Sequence, residues 1–589
     1  MLDVQTAANA VMFTQYIAAF LATMWCARCL GLRTAGALLA AIVYVYGWFP
    51  ARASLDWAIL GGLYLPLALG GVAAFWQTRR PRDAVIFSLA IGMQLLGGHY
   101  QIAFLTWLLV AAYSGWLWLR PQVKFEPVEL SRVRNRSAIA LAGAFVLGVG
   151  LGSAQLLPTW ELKGRSQRAQ VGGEHDPAYG HIPPIYLSQV VAPWFWYDPG
   201  IDLDAALARL TWLSAPAATN RVEAHLYFGQ VPWYLAVGAA IASWRRRQWD
   251  RETRFWWGVA LFGVIYATGW LLPVLRFVPG FNFFRGPGRA GLLTTLAIAM
   301  IAGGGLDRLR LKVSRRWLLP ITATLIIATI VDLWWLPRSV TYAVMLPQTP
   351  IQMRDQSSLR ERLLAKSQPV RLYSPGANFP TVMGVSAVPV YLGLGPEEYF
   401  DPALAYPAAE PDDFHTYTPE RVAWLRQAGV THILSFELLE RRGWPVELEW
   451  AGIDPMLNFG WARFREPIYL YRLDGATGLV VWEGADSSAT AVIQSLGNHS
   501  VAVLAESSSG GRLVLKELAY PGWEVMVDGQ PAKSIIVSGM FRGVDLPPGS
   551  HRVDWSYRPR SVYWGFCLSG VAAVLLGLGS LALARRPLV

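Results

Sequence analysis

A recurring apolar run, long enough to cross a bilayer, constrains this chain more than any catalytic signature does. A helix that spans the hydrocarbon core needs about 20 mainly apolar residues. Runs of that kind recur from one end of the sequence to the other. They predict about eleven transmembrane helices, at 10–28, 34–49, 57–76, 84–97, 102–119, 137–157, 226–244, 254–272, 290–306, 317–336 and 562–584. The second and fourth are short for a full crossing and are expected to tilt or re-enter.

With 53% hydrophobic and only 15% charged residues, the composition excludes an ordinary soluble enzyme. The 28 tryptophans suit aromatic belts at the membrane boundary. A net charge of +11 suggests nucleic acid as a partner until the positives are located. They sit in short loops: Arg79, Arg80 and Arg82; the 120–136 stretch; Arg245 to Arg254; Arg308 to Arg316; and Arg585 with Arg586. The positive-inside rule makes that side cytoplasmic, so the charge reports topology and no nucleic acid is expected. Alternation then places 158–224, the Arg285 turn, 337–560 and Met1 outside, and the C-terminus inside. An outside N-terminus without a basic leader implies that a further helix and its external loop precede this sequence.

Three cysteines give no disulfide framework, and the Cys26–Cys29 pair reads as packing on an apolar helix. The chain divides into a helical membrane region at 1–337 with an external loop at 158–224, an extracytoplasmic α/β domain at 338–474, a small β-sandwich at 475–560, and a last helix with a cytoplasmic tail at 561–589. Helices are expected at 357–366 and 419–428, and strands at 369–373 and 431–436. The sandwich is expected to hold strands at 489–494, 500–505, 512–518, 523–527 and 551–557, with Asp528-Gly529 as a turn.

The outer helix ends collect the candidate chemistry. Asp56 precedes the third helix, His99-Tyr100-Gln101 follows a glycine pair, and Gln155, Glu161, Arg165 and Arg168 lie where the sixth helix emerges. Arg285 and Arg289 flank a Gly-Pro-Gly turn. Paired arginines either hold a phosphate by charge-assisted hydrogen bonds or anchor a helix end among lipid phosphates. Asp56, His99 and Glu161 are the candidate catalytic groups, able to act as a base or acid toward a hydroxyl. Arg285, Arg289, Gln101 and Gln155 are the candidate phosphate-binding groups. Asp332 is expected to pair with a basic group inside the bundle. No cofactor or metal site is assigned, although Glu174-His175-Asp176 and Asp198, Asp202 and Asp204 offer carboxylates to a divalent cation. Walker, nucleophile-elbow, HExxH and dinucleotide motifs are all missing from the sequence.

Several of these stretches together resemble the bacterial YfhO-like membrane proteins, which are similar to GT-C glycosyltransferases. They are Gly98-His99-Tyr100-Gln101, the run from Ser153 to Glu161, Phe284-Arg285-Gly286-Pro287-Gly288-Arg289, and Tyr520-Pro521-Gly522-Trp523-Glu524-Val525 with Asp528-Gly529. Gly429 to Leu434 fits as well. The resemblance implies a GT-C-like helical module with external domains. It also implies transfer of a sugar from a polyprenyl-phosphate donor to a cell-envelope glycan or polymer, at the outer face of the cytoplasmic membrane. The family's usual acid lies in the first external loop, which would precede this sequence. The alternative is a non-catalytic lipid-carrier or envelope-assembly protein whose external domains bind polymer or partner proteins.

Overall fold

The computed structural model describes residues 4–52, 56–119, 127–169, 179–197, 219–220, 222–247, 249–335, 349–374, 379–388, 393–405, 414–458 and 467–583. The chain forms two compact units. The first combines Met1–Leu157, Val171–Ala343 and Trp564–Val589; the second combines Pro158–Gln170 and Val344–Tyr563.

The helical unit contains α1 (Val4–Cys29), α2 (Thr34–Trp48), α3 (Asp56–Thr78), α4 (Pro81–Leu96), α5 (Tyr100–Trp118) and α6 (Pro127–Leu151). The chain goes on through α7 (Ser153–Gly164), α8 (Gln230–Arg245), α9 (Arg251–Ala267), α10 (Gly291–Arg310), α11 (Arg315–Trp335) and α12 (Arg560–Leu583). Each predicted apolar run is helical over most of its described residues, with 226–229 and 268–271 outside the helices. Among the described residues, seven helices are long and apolar enough to cross a membrane, and α6 with α7 adds a bent candidate. The chain therefore reads as a multi-pass membrane protein. The second helix is longer than its apolar run suggests, because the 3-10 turn Pro50–Arg52 extends it. At 16 or 17 residues, α4, α8 and α9 are short.

At the centre is α10, buried along most of its length. Glycines let α2 approach it: a Cβ on Gly36 would lie 2.5 Å from the Gly303 carbonyl oxygen, and one on Gly303 would lie 2.5 Å from that of Gly36. Close backbone contact of this kind drives helix association where lipid is as apolar as leucine. Asp307 then accepts from the Arg33 and Gly36 N–H groups at 2.6 and 3.1 Å, satisfying the start of α2.

The predicted sixth helix is broken at Gly152, with a 70° bend between α6 and α7. A Cβ at Gly152 would meet Leu95 Cβ at 2.4 Å, so only glycine fits. The freed backbone groups are satisfied by Ser569 of α12. Its hydroxyl accepts from Ala154 N–H at 3.0 Å and donates to the Leu151 carbonyl at 2.8 Å. After the bend the chain passes at Pro158 into the second unit.

That unit has two parts. Five strands form a mixed sheet in the order β2-β1-β3-β5-β4: β1 (Arg371–Tyr373), β2 (Ser386–Ala387), β3 (His432–Ser435), β4 (Val446–Gly452) and β5 (Ile468–Leu473). Only β1 pairs in parallel, with β2 and β3. Alternation puts Leu372, Leu434 and Leu470 on one face with helix Ser358–Leu364, and Tyr373, Ile433 and Tyr471 on the other with helix Pro419–Gln427. The remaining strands form two antiparallel sheets. One holds Thr490–Leu496, Ser500–Ser507, Gly549–Tyr557, Trp523–Val527 and Gln530–Ala532; the other holds Val480–Glu483, Gly511–Leu518, Phe541–Leu546 and Ile535–Val537. Val503, Val553 and Trp555 of the first share a core with Leu513, Leu515 and Val544 of the second. Asp528 and Gly529 both have positive φ, 50° and 79°, and turn one hairpin as predicted.

Candidate anion site at the Arg285–Arg289 turn

Local sequence makes the turn. Gly286 is left-handed (φ 77°, ψ 56°), a region open to glycine at little strain, and Pro287 starts a short 3-10 helix that leads into α10. The Gly286 N–H donates to the Tyr179 carbonyl at 2.6 Å, and the Gly288 N–H to the Gly180 carbonyl at 3.0 Å. A side chain at Gly288 would press on two backbone oxygens, those of Gly180 at 2.5 Å and Glu223 at 2.7 Å. Packing therefore fixes the turn at atomic contact with two other loops.

Arg289 is fully engaged. Its Nε donates to both carboxylate oxygens of Glu223, at 3.1 and 3.0 Å, and Nη2 adds a 2.5 Å bond to Oε1. Nη1 donates to Gln101 Oε1 at 2.9 Å, while Gln101 Nε2 donates to the Gly286 carbonyl at 2.9 Å. Gln101 thus bridges the two ends of the turn. Glu223 itself is held by an Asx-type loop, in which Asn220 Oδ1 accepts from the Val222 and Glu223 N–H groups, each at 3.0 Å.

His99 caps α5 and faces Arg289. Its Nδ1 lies 3.4 Å from the Ile102 N–H, and its Nε2 lies 3.4 Å from Arg289 Nη1. A neutral imidazole has one acceptor nitrogen, so only one of these contacts is a hydrogen bond at a time. Burial, followed by the Arg289 charge, pushes the His99 pKa down to about 3. The ring is neutral near pH 7 and a weak base.

Arg285 differs from Arg289. Its guanidinium lies over the Tyr179 ring, 5.2 Å from the centroid. Among the described residues it makes no hydrogen bond or ion pair, and its side chain is half-buried. The two arginines of the expected pair therefore differ: Arg289 is held by Glu223 and Gln101, and Arg285 has no anionic partner among the described residues.

A second buried cation supports the loops from behind. Arg52 stacks on Trp48, 3.5 Å from the ring centroid, and donates to the Trp48 and His225 carbonyls at 3.4 and 3.3 Å. Gln189 clamps the same segment, donating to the Ala224 carbonyl at 2.9 Å and accepting from Leu226 N–H at 2.8 Å.

The other sequence candidates are spread more widely. The Gln155 carbonyl accepts from the Tyr100 hydroxyl at 3.1 Å, which joins that stretch to the His99–Gln101 corner. Asp56 opens α3, but its side chain lies outside the described residues. Glu161, Arg165 and Arg168 belong to the second unit. There Glu161 hydrogen-bonds Tyr520, whose pKa is raised to about 12, first by burial and then by the Glu161 charge. The Arg165 carbonyl accepts from the Glu397 N–H at 3.0 Å. Asp332 pairs with neutral partners, not the expected basic group: it accepts from the Tyr227 hydroxyl at 2.7 Å and from the Gln230 N–H at 2.7 Å, capping α8. The candidate cation ligands Glu174, His175, Asp176, Asp198, Asp202 and Asp204 lie outside the described residues. Among those described, no group of three His, Cys, Asp or Glu side chains is placed to hold a metal ion.

Sequence reasoning missed Glu223, Asn220, Tyr179 and Arg52. The available signal for Glu223 was an acid just ahead of an apolar helix, on the same expected side as Arg289.

No protein-family profile matches the sequence, and no curated protein is significantly similar to it. Among solved structures, a mutant form of the arabinofuranosyltransferase AftD from mycobacteria is similar at 12% identity and TM-score 0.43, over 93% of this chain and 53% of that one. A second AftD structure gives 11% identity and TM-score 0.42, covering 93% of this chain and 50% of that one. The chain spans about half the length of these solved chains. At that level the likeness carries no argument about activity.

Proposed function

We propose that this chain is a GT-C-like, YfhO-like glycosyltransferase of the bacterial cytoplasmic membrane. It moves a sugar from a polyprenyl-phosphate donor to a cell-envelope glycan or polymer at the outer face. The observation that carries this reading is Arg285. It is a half-buried guanidinium without a carboxylate partner among the described residues, on a turn that Gln101, Glu223 and Arg289 hold rigid. Such a group suits an anionic oxygen, because the charge is partly desolvated and prepaid in position. Three of the stretches that carry the family resemblance also meet here: His99 and Gln101 touch Arg289, and Tyr100 joins them to Gln155.

In this reading Arg285 binds the donor phosphate, Gln101 and Arg289 hold its loop, and Gln155 helps fix the corner beside it. His99, kept neutral, contributes shape and an acceptor nitrogen; Asp56 remains the candidate proton acceptor of the helical unit, and Glu161 is a separate candidate in the second unit. The two-sheet part of the second unit is read as an extracytoplasmic β-sandwich that, with the α/β part, serves the acceptor.

One observation favours the non-catalytic reading. The described carboxylate inside the cluster, Glu223, is occupied by its ion pair with Arg289. The two readings separate on purified protein incubated with a panel of polyprenyl-phosphate sugars, with binding and transfer scored apart. Transfer by the native chain and loss of both binding and transfer in Arg285→Ala supports the enzyme. Binding that depends on Arg285 without transfer for any donor supports the carrier. Binding and turnover unchanged in Arg285→Ala removes the phosphate role.

A further inference from the structure

The opposite end of α5 from His99 borders a second feature. An apolar cavity of about 540 Å³ lies between α3, α4, α5 and α6. Its walls include Trp76, Phe87, Trp107, Trp118, Leu141 and Phe145. Trp76 lies two residues before the basic Thr78–Pro81 connection, Phe87 lies on the first half of α4 that follows it, and Trp118 ends α5. The volume falls in the range of small-molecule sites, roughly 300–1,000 Å³. Gly115 lines it too, and a Cβ there would have nothing within 4 Å, so the space continues past the helix wall.

A cation stacks on one wall residue of this cavity. Arg79 closes α3 in a left-handed conformation, φ 57°, which non-glycine residues seldom adopt. Its guanidinium lies over Trp76, 4.6 Å from the ring centroid, and Trp76 is part of the cavity wall. Arg79 Nη1 is buried and, among the described residues, has no hydrogen-bond acceptor. A buried N–H of a charged group without an acceptor is unfavourable, and an anionic oxygen relieves it. Arg80 and Arg82 follow in sequence. The nearby acid, Asp83, is already committed, accepting from Thr78 at 2.5 Å and lying 3.6 Å from Arg82.

We propose that this cavity binds an acyl chain of an anionic phospholipid whose phosphate rests on Arg79. A water-soluble anion leaves the aromatic walls unexplained. A zwitterionic lipid fits the walls but not the three neighbouring arginines. Interfacial arginines attract acidic headgroups, and amphipathic side chains bridge the apolar and charged layers in this manner. The site is independent of the Arg285 turn.

The test uses the full-length protein in phosphatidylcholine nanodiscs doped with photoreactive phosphatidylglycerol or photoreactive phosphatidylcholine, each with a diazirine in the acyl chain. Adducts are mapped by mass spectrometry. Phosphatidylglycerol should label the 107–118 and 138–145 peptides about fivefold more than phosphatidylcholine, the effect of one interfacial cation. Arg79→Gln should bring that labelling down to the phosphatidylcholine level, and Arg79→Lys should retain most of it. Gly115→Leu should remove adducts from these peptides with both lipids and leave labelling elsewhere intact. Equal labelling by the two lipids on the native protein, or no change in Arg79→Gln, overturns the proposal. The native comparison decides the matter even if Gly115→Leu does not fold.

Discussion

Glu223 holds Arg289 through both carboxylate oxygens, and the acceptor and donor come from loops 66 residues apart in sequence. Their side chains are 9% and 20% exposed, so neither charge is well hydrated if the other is removed. Breaking a largely buried pair from one side is expected to destabilise the helical unit by about 3 kcal/mol. Glu223→Ala and Arg289→Ala should each lower the thermal midpoint of the solubilised protein clearly. The double variant should lose less than the sum, since neither charge is then stranded. Additive losses would mean the pair is not coupled.

Arg285→Ala should behave differently. Its side chain rests on the Tyr179 ring and makes no described hydrogen bond, so stability should change by no more than about 1 kcal/mol. Affinity for a polyprenyl phosphate should fall by an order of magnitude or more, from the loss of one charge-assisted contact. Thermal melts and lipid binding on the same preparation check both halves.

Gly288→Ala should be among the most damaging single substitutions in the turn. The new methyl would lie 2.5 and 2.7 Å from two backbone oxygens, which cannot swing aside as a side chain can. A loss of about 3 kcal/mol or more is expected, with proteolytic sensitivity at the 284–290 turn. Gly286→Ala should cost about 1–2 kcal/mol from its left-handed backbone alone, and its methyl, 3.1 Å from Arg289 Nε and 3.2 Å from Cζ, would also press on the side chain that Glu223 holds.

The pH dependence follows from His99. Its folded pKa, about 3, lies below the ordinary value of 6.5. Between those values the unfolded chain binds the proton and the folded chain does not. Stability contributed by the neutral ring is therefore complete above pH 6.5 and falls as pH drops toward 3. Melts from pH 7.5 to 5 should show this decline, and His99→Gln should make it shallower, the remainder coming from His225, whose pKa burial and then Arg52 likewise push down to about 3. An unchanged slope in His99→Gln would place the proton uptake elsewhere.

In the second unit Asp454 is wholly buried and accepts from the Ser357 hydroxyl and from the Leu359 and Met456 N–H groups, each at 3.0 Å. Asp454→Ala leaves those donors without an acceptor and is expected to cost about 2–3 kcal/mol. Hydrogen exchange should speed up at Leu359 and Met456, with little change in the helical unit.

Much of this was legible in the sequence, because helix formation in an apolar run is a local matter. So were five of the strands between Thr490 and Tyr557, with the Asp528-Gly529 turn, while Gln530–Ala532, Ile535–Val537 and Phe541–Leu546 were not anticipated. The Gly98–Gln101 and Phe284–Arg289 stretches were singled out, and they do meet. Their division of labour was not legible. Whether Arg289 or Arg285 remains available depends on Glu223, which a loop set by Asn220 carries in from elsewhere. The break at Gly152 was hidden for the same reason: the apolar pattern runs on through it, and the deciding atoms belong to Leu95 and Ser569. Interactions over large sequence distances leave little trace in local pattern.

The short stretch 158–169 pairs within the second unit, where Ser166 bridges to Pro396 and Gln167 exchanges hydrogen bonds with Gly395. The backbone therefore passes between the two units four times, not twice. A protein shortened at residue 343 would not be a helical unit with a passenger removed. It would carry an orphaned arm still holding Glu161 and Arg165, stripped of the backbone partners that give it shape. The units have separate cores, yet neither is a contiguous genetic module, so exchange or deletion of one by a single cut must damage the other.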